Sequence, residues 1–68
     1  MKTRLNTKAI ALLMAAAGID TQTALSEKTG ISRQSICTIM ARKSCTTANA
    51  LKIARALGVD VTEIMEVD

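Results

Sequence analysis

Apolar residues recur at helical spacing near the start of the chain. They occupy positions i, i+3, i+4 and i+7, which form one face of a helix: Ile10, Leu13, Met14 and Ala17. Asn6 or Thr7 can cap the start of this helix, and Gly18 can adopt the left-handed conformation that ends one. The pattern therefore predicts a first helix from about Thr7 to Ala17.

Two shorter apolar stretches follow, and small residues separate them. Thr21 can cap a second helix that continues to Thr29, where Gly30 ends it. Ser32 can then cap a third helix, which we expect from Arg33 to about Ala41. The apolar face of this third helix consists of Ile36, Ile39 and Met40.

The second half of the chain has one strong helical stripe and a weaker one near its end. Residues 42–45 are predicted to be a loop, after which Thr46 can cap a fourth helix that ends at Leu57. Asp60-Val61-Thr62-Glu63 has the spacing of a capping box and predicts a short fifth helix. No alternating strand pattern is visible. The expected fold is therefore all-α, with five short helices in a single domain, residues 1–68.

The chain contains no aromatic residue, no histidine and no proline. Without aromatic rings it cannot stack bases as many RNA-binding and single-strand-binding modules do. Without histidine it lacks the commonest general base and metal ligand, so we expect no catalytic site, no metal and no cofactor. Cys37 and Cys45 are too few for a disulfide scaffold or a four-cysteine zinc site, and we expect free thiols in a reducing cytoplasm.

Basic and acidic residues are unevenly distributed along the chain. Residues 1–59 contain all 9 Lys and Arg residues but only Asp20 and Glu27, which is a net charge of +7. Residues 60–68 form an acidic tail with four carboxylate side chains and no basic one. This division favours a polyanionic partner on one face of the domain, although an ordinary solvated surface can have the same composition.

Residues 22–41 have the features of a helix-turn-helix motif. Ser26 is small enough for two helices to cross closely, and Gly30 permits the left-handed turn between them. Ile31 and the apolar face of the third helix would hold that helix against the core. The polar side of the third helix then faces outward and can enter a DNA major groove, which is about 12 Å wide.

Three segments resemble the Cro/CI-type, XRE-like family of bacterial and phage repressors, namely Thr21–Gln22, Thr29–Ile36 and Lys52–Val59. The resemblance extends from about Ile10 to Met65. It implies a lambda-repressor-like fold in a sequence-specific transcriptional regulator that binds double-stranded DNA. It also implies a repressor of bacterial, phage or mobile-element origin that has no enzymatic activity and needs no small-molecule ligand.

The resemblance assigns roles to individual residues. The base-reading positions of the third helix correspond to Arg33, Gln34 and Thr38, and the Ser35 hydroxyl can donate to a base or a phosphate beside them. The positions that contact phosphates correspond to Gln22, Lys43 and Ser44. Neighbouring residues complete the candidate phosphate contacts, namely Thr21, Thr23 and Arg42. Arg and Gln suit base reading because Arg can form two hydrogen bonds to guanine and Gln can form two to adenine. A phosphate at Gln22 would also interact favourably with the N-terminus of the second helix.

The sequence departs from the family pattern in several places. Met40 stands where many members have a Glu, and Met14-Ala15 occupies the region of the Arg to which that Glu is paired. Replacement of a buried ion pair by apolar residues is often neutral or stabilising, so the fold is not affected. Arg42 stands where the family usually has Gly, which leaves the following loop without its flexible residue and adds a cation beside Lys43.

Several positions have a second interpretation. Cys37 can contact a thymine methyl group or can be a passive, half-buried thiol. Lys2, Arg4 and Lys8 can form an arm that reaches the DNA backbone, or can only add solubility. With the apolar run 9–17 they also imitate a signal peptide, but the helical spacing favours a folded helix and a cytoplasmic protein with no membrane segment.

Regulators of this type often bind palindromic operators as homodimers, with half-sites about one helical turn (~34 Å) apart. The acidic tail is the candidate dimer surface, through its apolar residues Val61, Ile64, Met65 and Val67. The alternative is that Ile64 and Met65 complete the core. A different function for the same fold is a protein-interaction module, such as an antitoxin or adaptor. Salt separates the two functions, because DNA binding weakens steeply as the salt concentration rises.

Overall fold

The computed structural model describes residues 2–66, which form four α-helices, two short β-strands and one 3-10 helix. The elements in chain order are β1 (Lys2–Arg4), α1 (Thr7–Ala16), α2 (Gln22–Thr29), α3 (Arg33–Arg42), β2 (Ser44–Thr46), α4 (Thr47–Leu57) and the 3-10 helix (Val61–Glu63). The first four predicted helices are confirmed, and their ends lie within one residue of the predicted ones. Among residues 2–66, no helix has the length and apolar character needed to cross a membrane.

The helices begin at the polar caps that the sequence predicts. The cap side chains that accept a hydrogen bond from a backbone N–H of the first turn are those of Asn6, Thr21, Ser32 and Thr46. Each bond satisfies an amide that the helix itself leaves unpaired. The capping box is also confirmed, because the Asp60 N–H donates to Glu63 Oε2 over 3.0 Å and Asp60 Oδ1 accepts from the Thr62 N–H over 3.0 Å.

A single aliphatic core lies between the helices. Its largest fully buried side chains are Leu5, Ile10, Leu25, Ile36, Ile53 and Ile64. They come from all four helices and from segments near both ends of the described chain. Met14 and Met40, at which the resemblance led us to expect an apolar replacement for an ion pair, are half-buried and pack against this core. The core therefore closes at these positions without a buried charge.

The all-α prediction is wrong for two segments. Ser44 and Cys45, predicted to lie in a loop, form β2 together with the helix cap Thr46, and β2 pairs antiparallel with β1 so that Thr3 lies opposite Cys45. Both of these residues are buried while their strand neighbours are not, but three residues are too few to reveal an alternating pattern. Of the three basic N-terminal residues, Lys2 and Arg4 therefore lie in a strand, whereas Lys8 lies in α1. Arg42, also predicted to lie in the loop, is the last residue of α3.

The predicted fifth helix is only the single 3-10 turn. After this turn the chain becomes extended and pairs with the N-terminal segment: the Asn6 N–H donates to Ile64 O over 2.8 Å, and the Glu66 N–H donates to Arg4 O over 2.9 Å. Ile64 is fully buried, so it completes the core and cannot belong to an exposed dimer surface. Val67, also named for that surface, lies outside the described residues.

Candidate nucleic-acid interface

The turn between α2 and α3 is held by side-chain hydrogen bonds. The Ser26 hydroxyl donates to Ile31 O, so the small residue that permits a close crossing also ties α2 to the turn. The Thr29 hydroxyl donates to Leu25 O over 2.9 Å and accepts from the Ile31 N–H over 3.2 Å. Gly30 between them has a φ of 75°. These contacts hold α3 in one orientation relative to α2.

One side of α3 is buried and the other carries the predicted base-reading residues. Ile36 and Ile39 face the core. Four of its exposed residues form what we call the reading face, namely Arg33, Gln34, Ser35 and Thr38. Within residues 2–66 the side chains of Arg33 and Gln34 make no hydrogen bond, so their donors are available to a partner. The Ser35 hydroxyl accepts from Ser32 Oγ over 2.9 Å and keeps its own hydrogen to donate.

Thr38 has a different hydrogen-bonding state from the rest of the reading face. Its hydroxyl donates to Gln34 O over 3.0 Å within the same helix. The hydroxyl hydrogen of this exposed side chain is therefore used, which leaves the oxygen as an acceptor and the methyl group for an apolar contact. An acceptor and a methyl group are suited to an amino group of a base and to the methyl group of thymine, respectively.

A groove runs along the reading face between α3, β2 and the start of α4. Its lining, which we call the basic groove, comprises Lys2, Gln34, Ser35, Thr38, Ile39, Arg42, Ser44, Cys45, Thr46 and Asn49. Two of these side chains are cationic and none is acidic. The groove adds two polar residues that the sequence did not assign to the site, Thr46 and Asn49. It also includes Lys2, for which the sequence left open a backbone-contacting arm or a solubilising charge. Lys2 reaches the groove through its pairing with Thr46 across the two strands, and that pairing has no local sequence signal.

The loop after α3 has an unusual backbone. The helix continues through Arg42, and Lys43 adopts the left-handed conformation with φ 57° and ψ 32°. The resemblance places the Gly of this loop at residue 42. In the structure the left-handed residue comes one position later, and it is Lys43, which has a Cβ. The Lys43 carbonyl accepts from the Leu5 N–H over 2.8 Å, which fixes the loop against the N-terminal segment. Ser44 is half-buried in β2 and lines the basic groove.

The start of α2 lies beside α3 and brings two predicted residues together. The Cys37 thiol donates to Gln22 Oε1, with 2.6 Å between Sγ and Oε1. Thr21 is exposed, but its hydroxyl oxygen already accepts from the Ala24 N–H over 3.1 Å. Thr23, the second residue of α2, is also exposed. Cys37 itself is exposed, so the interpretation as a half-buried thiol is wrong.

The second cysteine lies in a different environment. Cys45 is buried opposite Thr3 in the two-stranded sheet, and burial raises the pKa of its thiol above the ordinary value. Both cysteines are free. A raised pKa keeps Cys45 as a neutral thiol near neutral pH, which suits its place in the core.

The electrostatics of this side of the molecule favour an anion. Arg33, Arg42 and Lys43 are exposed on or beside the reading face, and Lys2 lines the groove. Among residues 2–66, the only ion pair joins Arg4 to Glu66 at 3.8 Å, and both side chains are largely exposed. Such an exposed ion pair contributes little to the stability of the fold. The cations near α3 are thus not neutralised by neighbouring carboxylates.

Comparison with known proteins places these features in a family. Residues 9–68 match the model of the Cro/C1-type HTH DNA-binding domain, a segment that contains α2, α3 and the whole reading face. Neither the curated proteins nor the solved structures include a significant match to the chain. The chain therefore belongs to the Cro/C1-type helix-turn-helix DNA-binding domain family.

Proposed function

We propose that this protein is a sequence-specific regulator of transcription that reads the major groove of double-stranded DNA with α3. The observation that carries the proposal is the reading face, where four exposed polar side chains lie beside a groove with cations and no carboxylate. An α-helix fits the major groove, and these residue types can distinguish base pairs there. Repression would follow from occlusion of a promoter.

The proposed interface has two classes of contact, to bases and to phosphates. We assign paired hydrogen bonds to guanine and adenine to Arg33 and Gln34, and single base contacts to Ser35 and Thr38. Phosphates are assigned to Gln22 at the start of α2 and to the cationic residues Arg42 and Lys43. Thr21, Thr23 and Ser44 are neighbours that can add neutral hydrogen bonds to phosphates. Phosphate contacts fix the position of the protein, and base contacts supply the sequence preference.

The proposed operator is palindromic and binds a homodimer. A single α3 contacts only a few base pairs, so two copies related by a two-fold axis are expected on half-sites about 34 Å apart. The dimer surface cannot include Ile64, because that side chain is fully buried.

Selection of bound duplexes from a random pool tests the proposal directly. We expect one enriched motif with two inverted half-sites, and a log-log plot of affinity against salt with a steep negative slope. A pool that remains random after several rounds at low salt would overturn the proposed function. An enriched motif without inverted symmetry would overturn the homodimer only.

One observation favours the alternative, a protein-interaction module. Leu12 on α1 is 73% exposed, and its neighbours Ala11, Ala15 and Ala16 are also exposed. An exposed apolar strip of this kind can mark a protein-binding surface. If this is the main function, the protein should show no affinity for any duplex at low salt. A protein that binds duplexes with a steep salt dependence would contradict it as the main function.

A further inference from the structure

The hydrogen bond between Cys37 and Gln22 joins the recognition helix to the start of α2. The Sγ–Oε1 distance is 2.6 Å, and the two residues are 15 positions apart in the chain. A thiol hydrogen can be accepted only by the oxygen of the Gln22 amide, because its nitrogen is a donor. The contact therefore determines which end of the amide faces α3.

The other end of the same amide remains available. The oxygen and nitrogen of an amide diverge from one carbon, so when Oε1 is bound to Cys37 the NH2 group is directed elsewhere. Within residues 2–66 this NH2 group makes no hydrogen bond. Gln22 is also the first residue of α2, where the unpaired backbone N–H groups of the first turn favour an anion.

We propose that Cys37 is a positioning residue that orients the Gln22 amide toward a DNA phosphate. The inference rests on the proposed function and deepens it by giving the exposed thiol a role without contact to DNA. Free Gln side chains sample many rotamers, and ordering one on binding lowers the affinity. A contact that orders Gln22 before the DNA arrives removes part of this entropic cost.

The role predicts a specific pattern of variant affinities. Cys37→Ala should bind every duplex about threefold to tenfold more weakly, since a Gln22 side chain that must be ordered on binding lowers the affinity by about this factor. Base preference should be unchanged, because phosphate contacts carry no sequence information. The salt slope should also be unchanged, because Gln22 is neutral and releases no counterion.

Cys37→Ser is the matched control. Its hydroxyl can donate to the same oxygen. The serine side chain is shorter, so its Oγ would lie somewhat farther from Gln22 Oε1 than the 2.6 Å of the thiol, which is still within hydrogen-bond range. We expect its affinity to be within about twofold of the wild-type value, a difference smaller than that of one hydrogen bond. Thermal unfolding of both variants verifies that they are folded at the temperature of the measurement.

A double-mutant cycle completes the experiment. If Cys37 acts through Gln22, Cys37→Ala should have no further effect on affinity in a Gln22→Ala background. Additive effects, or a Cys37→Ser variant as weak as Cys37→Ala, would overturn the positioning role. A loss confined to duplexes with thymine at one position would overturn it in favour of a direct methyl contact. A wild-type protein that binds no duplex at all would overturn both the proposed function and this role.

Discussion

Arg33 and Gln34 lie at the first turn of α3, and their exposed side chains make no hydrogen bond among the described residues. Arg33→Ala and Gln34→Ala should each weaken operator binding by about 1–3 kcal/mol and relax the preference at one base pair. Their effect on the free energy of unfolding should be within about 0.5 kcal/mol, because neither side chain is packed. Affinities for the operator and for each single-base variant of it provide the measurement. Equal losses on all sequences from Arg33→Ala would show that this residue contacts a phosphate instead.

Lys43 combines a strained backbone with a proposed phosphate contact, and one substitution separates the two. Its φ of 57° disfavours any residue with a Cβ, so Lys43→Gly should stabilise the fold by about 1 kcal/mol. The same substitution removes a cation and should reduce the magnitude of the salt slope by about 1. Urea unfolding and a salt titration of DNA binding measure the two effects.

Lys43→Ala is the control for this pair of effects. It removes the cation but keeps the Cβ, so it should change the salt slope without the gain in stability. A Lys43→Gly variant that is both less stable and unchanged in DNA binding would contradict both assignments.

At the scale of elements, the strand pair changes the site more than any helix does. β1 holds Lys2 opposite Thr46, and the Thr3 hydroxyl lies 3.3 Å from the hydroxyl of Thr47 at the start of α4. The basic N-terminal segment is therefore anchored beside α3, where Lys2 lines the basic groove. A solubilising role alone would not require this position.

Lys2→Ala tests whether the strand contributes to DNA binding. We expect the variant to bind all duplexes more weakly and to lose about 1 from the magnitude of the salt slope. Lys28→Ala is the matched control, because Lys28 is also exposed but lies in the last turn of α2, at the opposite end from Gln22. Equal salt slopes for the two variants would show that the groove does not bind phosphate through Lys2.

Helices and strands differ in how far the sequence predicts them. The helix ends follow from local signals, such as Thr21 and Ser32 at the caps and Gly30 at the turn, and all of these are confirmed. β1 and β2 each contain three residues, and their pairing depends on contacts between distant parts of the chain. No short stretch of the sequence indicates that these two segments pair. The reading face could therefore be predicted, whereas the groove beside it could not.

At the scale of the whole molecule, the short 3-10 turn lies at the start of the acidic tail, before the residues that attach the tail to the rest of the fold. Hydrogen bonds from the backbone N–H and the hydroxyl of Thr62 lower the pKa of Asp60 below its ordinary value. The turn precedes Ile64, which is buried in the core, and residues 64–66, which pair with residues 4–6. Loss of this cap should therefore affect the unfolding of the whole domain.

The lowered pKa determines the direction of the pH dependence. Since the folded value is below the unfolded one, ionised Asp60 stabilises the fold at neutral pH, and this contribution is lost as the pH falls below about 4. Asp60→Asn should be less stable than the wild type at neutral pH, and the difference should decrease in acid. Urea unfolding between about pH 3 and pH 7 measures it. A difference that is constant over this range would show that the charge makes no contribution.

The position of residues 4–6 between the loop after α3 and the acidic tail has a consequence for the order of folding. β1 and β2 are about 40 residues apart in the chain, so their pairing must close a long loop, whereas each helix forms from local contacts. We expect the strand pair to form late and to open first in native-state hydrogen exchange. The reading face would then exist before the basic groove is complete. Phosphates bound at Lys2 would stabilise the paired strands. Binding to the operator would therefore favour completion of this last stage of folding.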